Sequence, residues 1–360
     1  MFDDAAAIYR PAWPDPLSLS RDELAAHGLL LPGVAVLPVV HGRLECAQMV
    51  RRAVEKLSPA AIAVELPAGL ADLLRRAIAR LPLLSVLEIP DETRHGRPQY
   101  LLVEPADPLI EAARRAVELD LPLHLVDRDL GGYPAVRDRL PDVAAAESVG
   151  AAAWLRAALA AAAASERVPE DDLREDFMAA AIAAIARRQT LPDALVLVVC
   201  GVHHARGLVR RLAPLLDGDH PPPAPLHRLR RDGPVLWHLS EQSSSEVLGE
   251  PAFIQAAYER SRGTAPPSAH APASAGAVLD LFTRTRAAPI ADPFRNPAPP
   301  DPAEDRPRAS GRTGLLLAIC QHARARYRRR TGGDLRPGSI LRLLRYACAY
   351  AYEEGALQPD

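Results

Sequence analysis

The sequence predicts an α/β protein: a largely parallel or mixed sheet with helices on both faces, a proline-rich linker and a small helical C-terminal segment. Three short runs rich in apolar and β-branched residues, at 34–40, 60–65 and 195–199, are typical of strands buried in such a sheet. Helical patterns follow these runs, and the apolar residues of 44–57 recur with a period near 3.6. Buried strands that alternate with amphipathic helices indicate the α/β class.

The remaining elements follow from helix-end signals and from shorter apolar runs. Ser20 is a helix cap, and Pro108 fits the first turn of a helix. The segment before Arg188 has acidic residues at its front and arginines at its back, which suits a helix dipole. The predicted helices are 21–27, 68–80, 107–118, 143–188 with a break near 168–169, 205–215, 251–262, 315–330 and 339–353. The additional predicted strands are 100–103, 122–126 and 235–239.

Composition divides the 360 residues into four segments. The 36 prolines are about twice the usual share, and their clusters mark linkers. Residues 1–33 are predicted to be an N-terminal lead-in, and residues 34–262 the α/β core. Residues 263–311 are rich in Pro, Ala and Ser, which is typical of an extended linker. Residues 312–360 form the predicted helical C-terminal segment.

Charge and composition exclude several classes of function. A net charge of -2 and a pI near 6.6 argue against a nucleic-acid-binding protein. The sequence contains no run of about 18 uncharged apolar residues, so no membrane span is predicted. The N-terminus is acidic and interrupted by prolines, unlike a secretory signal, and the four cysteines show no CxxC pair. We therefore expect a cytoplasmic protein without a membrane or nucleic-acid partner.

Polar residues follow three of the predicted strands where each strand ends. His41 follows the first, Glu65 ends the second, and His203 and His204 follow the third. In open α/β sheets, ligands bind outside the carboxyl ends of the strands. Two imidazoles and a carboxylate suit a divalent metal with an open position, and also a metal-free site in which a histidine deprotonates water. The alternative is that the adjacent histidines only cover a helix N-terminus.

The order of short motifs resembles the TraB/PrgY, Tiki and GumN superfamily, whose relatives include erythromycin esterases and ChaN-like proteins. The motifs are a strand ending at His41, IAVELP with Glu65, VDRDL at 126–130, REDFMA at 174–179, and GVHH with a later glycine at 201–207. The resemblance covers roughly half of the chain, and it extends to an uncharacterised branch with a G-x-x-H-H motif that is found beside MoxR-type ATPases and von Willebrand A proteins.

Two departures from the family pattern affect the expected site. Pro38 stands where the family has glycine, and Arg174-Glu175 replaces an Arg-Asp pair. A proline fixes φ and removes an amide donor, so we expect altered geometry around His41. The resemblance implies that His41, Glu65 and His204, with His203 as the alternative, hold a weakly bound divalent metal such as manganese, cobalt or zinc.

Two arginines are further candidates for the site. Arg128 is expected either to bind a substrate carboxylate or oxyanion, or to form a salt bridge with Asp127, Asp129 or Glu175. Arg174 has the same two interpretations and is expected to lie across the site from Glu65.

The resemblance implies a hydrolase that cleaves an ester or amide bond in a small molecule or peptide. Either a metal-bound water or a water deprotonated by His41 would attack the carbonyl. The alternative is a non-catalytic binding or regulatory module that works with protein partners such as an ATPase and von Willebrand A system. In that case the C-terminal helices would bind the partner. Their arginine cluster, at 324–330, is either a solvated helix end or a docking surface for a protein or an acidic molecule.

Overall fold

The computed structural model describes residues 17–90, 98–128, 140–191, 193–218, 233–240, 243–244, 247–249, 252–262 and 311–353. Its strands are β1 Leu30–Leu31, β2 Val34–Val39, β3 Ala61–Pro67, β4 Ser85–Ile89, β5 Gln99–Val103, β6 Leu123–Asp127, β7 Val196–Gly201 and β8 Val235–His238. Its α-helices are α1 Arg21–Ala26, α2 Leu44–Leu57, α3 Ala71–Ile78, α4 Pro108–Glu118, α5 Ala146–Val149, α6 Ala151–Ala164, α7 Pro169–Arg187, α8 Val202–Asp217, α9 Ala252–Ser261, α10 Gly311–Thr331 and α11 Pro337–Glu353. The first half of the predicted lead-in, and the predicted linker up to residue 310, lie outside the described residues.

The main sheet has the strand order β1-β2-β7-β3-β6. Strands β2, β7, β3 and β6 are parallel, and the short β1 pairs antiparallel with β2. Every residue of β2, β3 and β7 is buried. Since successive side chains point to opposite faces, both faces of the sheet are covered. The predicted fold class is therefore confirmed.

A second, antiparallel sheet has the order β5-β4-β8, and we did not predict β4. Buried and half-buried residues alternate along this strand. Its sequence, SVLEI, is therefore a half-buried pattern of only five residues, too short to identify reliably from periodicity. This sheet matters for function because β4 and β5 supply part of the wall of the cavity described below.

Most helices begin and end close to the predicted positions, although α10 begins at Gly311 rather than 315 and the predicted helix from 143 is interrupted at Gly150. Ser20 and Glu23 form a reciprocal capping box on α1, and the Asp107 carboxylate caps α4. Helix α8 was predicted from residue 205 but begins at Val202. The adjacent histidines therefore lie in its first turn, about 100° apart around the helix axis, rather than in a loop.

Pro38 leaves the pairing of β2 with β7 regular. Strand β2 keeps one register against β7 from Val34 to Val39, and Pro38 lies opposite Cys200. The N–H of Val36 points away from β7 and donates to the Leu29 carbonyl. Alternation along the strand places the nitrogen of Pro38 on that same side, beyond the end of β1. The proline therefore removes no hydrogen bond to the central strand.

The predicted C-terminal helices are present as α10 and α11. Arg312, 2% exposed, pairs with the buried carboxylate of Glu45 in the first turn of α2. Burial and the charge of Glu45 raise the pKa of the nearby Glu147 to about 7. Arg312 therefore anchors α10 to α2, the helix that follows His41 in the chain.

No helix among the described residues is long and apolar enough to cross a membrane.

Arg312→Ala is expected to lower the free energy of unfolding by about 3–5 kcal/mol, because it leaves the Glu45 carboxylate buried without its cation. Urea denaturation at pH 7 measures the change. The matched control is Arg324→Ala, which removes an exposed pair with Asp334 and should change stability far less. Equal losses in the two variants would show that Arg312 does not anchor the segment.

Candidate functional site

A cavity of about 460 Å³ opens at the carboxyl ends of β2, β7 and β3. These strands are neighbours in the sheet, so the residues that follow them come together although they are far apart in sequence. His41, Glu65, Arg174, His203 and His204 all line this cavity. The structure thus brings together four of the five predicted catalytic residues and the alternative histidine.

Glu65 lies at an irregularity in β3. The register against β6 shifts between Val64 and Pro67, and such a bulge re-aims the side chains around it. One oxygen of the Glu65 carboxylate accepts a hydrogen bond of 2.6 Å from the N–H of Gly201, and the other accepts one from Arg174. Glu65 is 5% exposed, and its carboxylate is held by Gly201 of β7 and by Arg174 of α7.

Arg174, on α7, connects the acidic groups at the end of the sheet. Its Nε donates to Asp127 Oδ1 at 3.0 Å, and its Nη2 donates to Asp127 Oδ2 at 2.7 Å. The same Nη2 donates to Glu65, and Nη1 contacts His204 Nε2 at 2.9 Å. Arg174, which was predicted to lie across the site from Glu65, thus contacts this carboxylate directly. The planar fork of a guanidinium can satisfy these acceptors together, which an ammonium could not.

The contacts of His204 assign its tautomer. Arginine only donates hydrogen bonds, so His204 Nε2 accepts from Arg174. The proton then lies on Nδ1, which donates to Glu175 Oε1 at 3.2 Å. His204 is 4% exposed, and both of its ring nitrogens are engaged by the protein. In this state the imidazole is neutral and its orientation is fixed.

Glu175 is itself buried and is held by cations from two directions. Its Oε2 accepts from Arg167 at 2.8 Å and from Arg211 at 2.7 Å. A Cβ atom added to Gly207 would overlap the Glu175 carboxyl group. The glycine that follows the histidine pair therefore makes room for this carboxylate against α8.

His41 is the exposed member of the site. Its Nε2 lies 3.1 Å, and Glu65 Oε2 lies 3.4 Å, from the position that a Cβ atom on Gly201 would occupy. The imidazole is therefore close to the fixed carboxylate, and the glycine between them keeps the space open. His41 is exposed, while His204, which also lines the cavity, is buried and contacts Arg174.

Local charges set the ionisation of the buried acid. Burial by itself raises the pKa of Glu65, whereas the cation of Arg174 and the N–H of Gly201 lower it. Both oxygens of the carboxylate accept hydrogen bonds from these donors. Glu65 is thus an anion at any physiological pH. Burial, reinforced by Glu65, raises the pKa of the Cys200 thiol, which makes this cysteine a poor nucleophile.

Arg128 is not brought into the site. It follows β6, is half-buried, and is not among the residues that line the cavity. Within the described part of the chain, its predicted partners Asp127 and Glu175 pair instead with Arg174, Arg167 and Arg211, and Asp129 lies outside the described residues. The strand-end rule that selected Glu65 would have selected Asp127, the last residue of β6.

The three predicted metal ligands do not form a suitable donor set in this arrangement. No group of three His, Cys, Asp or Glu side chains in the described ranges has the geometry to hold a metal ion. The physical reason is that the guanidinium of Arg174 donates to both Glu65 and His204, so lone pairs that would bind a metal are already engaged by a cation. Binding of manganese, cobalt or zinc by these residues stays a prediction, and no step below uses a metal.

Comparisons with known proteins do not assign the chain to a family. No protein-family model matches it, and neither a curated protein nor a solved structure does. The superfamily resemblance therefore stays a prediction that rests on the motifs, and the site has to be interpreted from its own geometry.

Gly207→Ala is expected to lower the free energy of unfolding by about 1–3 kcal/mol, because the new methyl group overlaps the Glu175 carboxylate. Chemical denaturation measures this loss. The control is Gly338→Ala in α11, where an added Cβ meets nothing within 4 Å. If both variants are as stable as the parent protein, Glu175 does not pack as described.

Proposed function

We propose that this chain is a hydrolase that cleaves an ester or amide bond, with His41 as the general base. The observation that carries the proposal is the position of an accessible imidazole beside a fixed, ionised carboxylate at the edge of a cavity. A base in such a place removes a proton from water while the neighbouring anion stabilises the imidazolium that forms. The resemblance of the motif order to hydrolase families supports the same reaction class.

In the proposed reaction, His41 accepts a proton from a water molecule in the cavity, and the water oxygen attacks the substrate carbonyl carbon. The carbonyl oxygen becomes an oxyanion. Its charge is stabilised by Arg174 and by the first turn of α8, whose N-terminal dipole favours an anion. The imidazolium of His41 then protonates the leaving alcohol or amine as the tetrahedral intermediate collapses. The products are a carboxylic acid and an alcohol or amine.

Glu65, His204 and Asp127 are positioning residues in this mechanism. Glu65 faces His41, while Asp127 and His204 fix the guanidinium of Arg174 from its other sides. Because these contacts exist before substrate binds, the site needs little reorganisation when charge develops.

The proposal is tested by a panel of aryl esters and amides with purified protein, in buffer with and without a chelator. We expect turnover that persists in the chelator. Turnover that disappears in the chelator and returns with manganese, cobalt or zinc would instead support the metal-assisted reaction. A folded protein that hydrolyses none of the panel would contradict the hydrolase proposal.

As a second candidate we propose a binding module that works with protein partners, such as an ATPase and von Willebrand A system. The observation that favours it is the surface of α11, which exposes Leu343, Tyr346, Tyr350 and Tyr352 by 56–76%. Exposed aromatic side chains are typical of interaction surfaces. An inactive but well-folded protein would favour this candidate.

A further inference from the structure

The cavity has a composition that goes beyond what hydrolysis requires. Its polar side chains are mostly those of the site, and most of the other lining residues are apolar. The 3₁₀ turn after β3, strands β4 and β5, and helix α4 contribute to this apolar wall. Its main apolar residues are Leu66, Leu70, Ile89, Leu101, Leu109 and Leu140. A wall of this kind stabilises an apolar group by removing it from water.

The volume of the cavity limits the size of the ligand. About 460 Å³ is within the range of pockets that enclose small molecules. A folded polypeptide would not fit into it, so only a flexible chain or a small compound reaches the polar end.

The apolar wall disfavours a charged ligand group. Glu65 and Arg174 line the polar end of the cavity, and they already form an ion pair. A charged ligand group that lay against the leucine-rich wall would lose its hydration without gaining a partner from these apolar residues.

We propose that the substrate is an uncharged ester or amide with an apolar acyl chain, which lies against the leucine-rich wall. This inference rests on the proposed hydrolase function and names its substrate class.

The test compares three p-nitrophenyl esters: the acetate, the hexanoate, and the hydrogen adipate, which has a six-carbon chain ending in a carboxylate. Burial of four further methylenes should raise kcat/KM for hexanoate over acetate on the order of 100-fold. The kcat/KM for the adipate ester should fall at least about tenfold below that for hexanoate, since its terminal carboxylate would lose its hydration against the apolar wall. Equal values for acetate and hexanoate, or for hexanoate and adipate, would overturn the proposal.

A pair of variants tests where the acyl chain of the substrate lies. Leu101→Trp fills part of the wall and should reduce the hexanoate-to-acetate ratio of kcat/KM at least about threefold. Leu191→Trp changes a leucine that is 70% exposed and outside the cavity, and should leave the ratio unchanged. If Leu101→Trp leaves the hexanoate-to-acetate ratio unchanged, the acyl chain does not lie against the leucine-rich wall and the proposal is contradicted.

A binding measurement separates this inference from the hydrolase proposal. The p-nitrophenyl ketone with a hexanoyl chain cannot be hydrolysed, and calorimetry with wild-type protein reports its affinity. We expect it to bind at least about tenfold more tightly than the analogue that ends in a carboxylate. If the ketone binds in this way but no ester is turned over, the hydrolase proposal fails and the ligand class stands. If esters are turned over but the two ketones bind equally, the ligand class fails and the hydrolase proposal stands.

Discussion

Arg174→Ala is expected to lower the free energy of unfolding by about 3–5 kcal/mol, the largest effect on stability of any single change in the site. The reason is that Glu65 and Asp127, which are 5% and 2% exposed, would remain buried without their shared cation. Urea denaturation at pH 7 measures the loss. Arg206→Ala, an exposed arginine on α8, is the control for removing one positive charge and should differ little from the parent protein.

A double variant tests whether the loss comes from uncompensated charge. Asp127→Asn removes one of the two carboxylates that lose their cation in Arg174→Ala. Combining the two changes should therefore destabilise the protein by less than the sum of the single changes. Arg174→Lys keeps the charge but lacks the fork that reaches Asp127 and His204 together, and should be intermediate. Strict additivity in the double variant would contradict the description of Arg174 as the common partner.

His41→Ala is expected to reduce kcat/KM on the most active ester by roughly 10²–10⁴-fold, the usual contribution of a general base. Stability should change by less than about 0.5 kcal/mol, because the side chain is exposed. Steady-state kinetics and urea denaturation measure the two quantities. The control is His238→Ala, an exposed histidine of β8 outside the cavity, which should have normal kinetics.

Chemical rescue distinguishes a base from a residue that only shapes the cavity. Imidazole added to His41→Ala can occupy the vacated space and accept the proton from water, so it should restore part of the turnover in proportion to its concentration. It should not rescue Glu65→Gln, where the histidine is still present. A fully active His41→Ala variant, or a defect that imidazole does not relieve, would argue against His41 as the base.

The positions of the candidate residues in the sequence were sufficient to predict that most of them lie at one cavity. His41, Glu65 and His204 each follow or end a buried strand, and parallel strands place their carboxyl ends at one edge of the sheet. Arg128 was included because it lies next to such an end, but a neighbour in sequence projects in a different direction. Asp127, the actual strand end, was considered only as a partner for Arg128.

What the sequence could not supply is the set of side-chain contacts. Arg174 is 30 residues before His204 and 109 after Glu65, and no periodicity shows that one guanidinium reaches both. The same applies to Gly207, whose missing side chain makes room for Glu175, and to Arg312, which reaches back to Glu45. Contacts of this kind depend on how helices pack across the sheet, and local patterns do not encode that packing.

The sequence by itself determined the α/β class, the parallel core strands and the cluster of polar residues at their ends, because hydrophobic periodicity and strand-end position are local properties. Only the tertiary structure decided what these residues do to one another. The guanidinium of Arg174 contacts both Glu65 and His204, so the ring nitrogen of His204 that faces it accepts a hydrogen bond, while His41 is exposed at the cavity. The physical reason is that hydrogen-bond donors and acceptors act over about 3 Å, and only the folded chain sets distances on that scale.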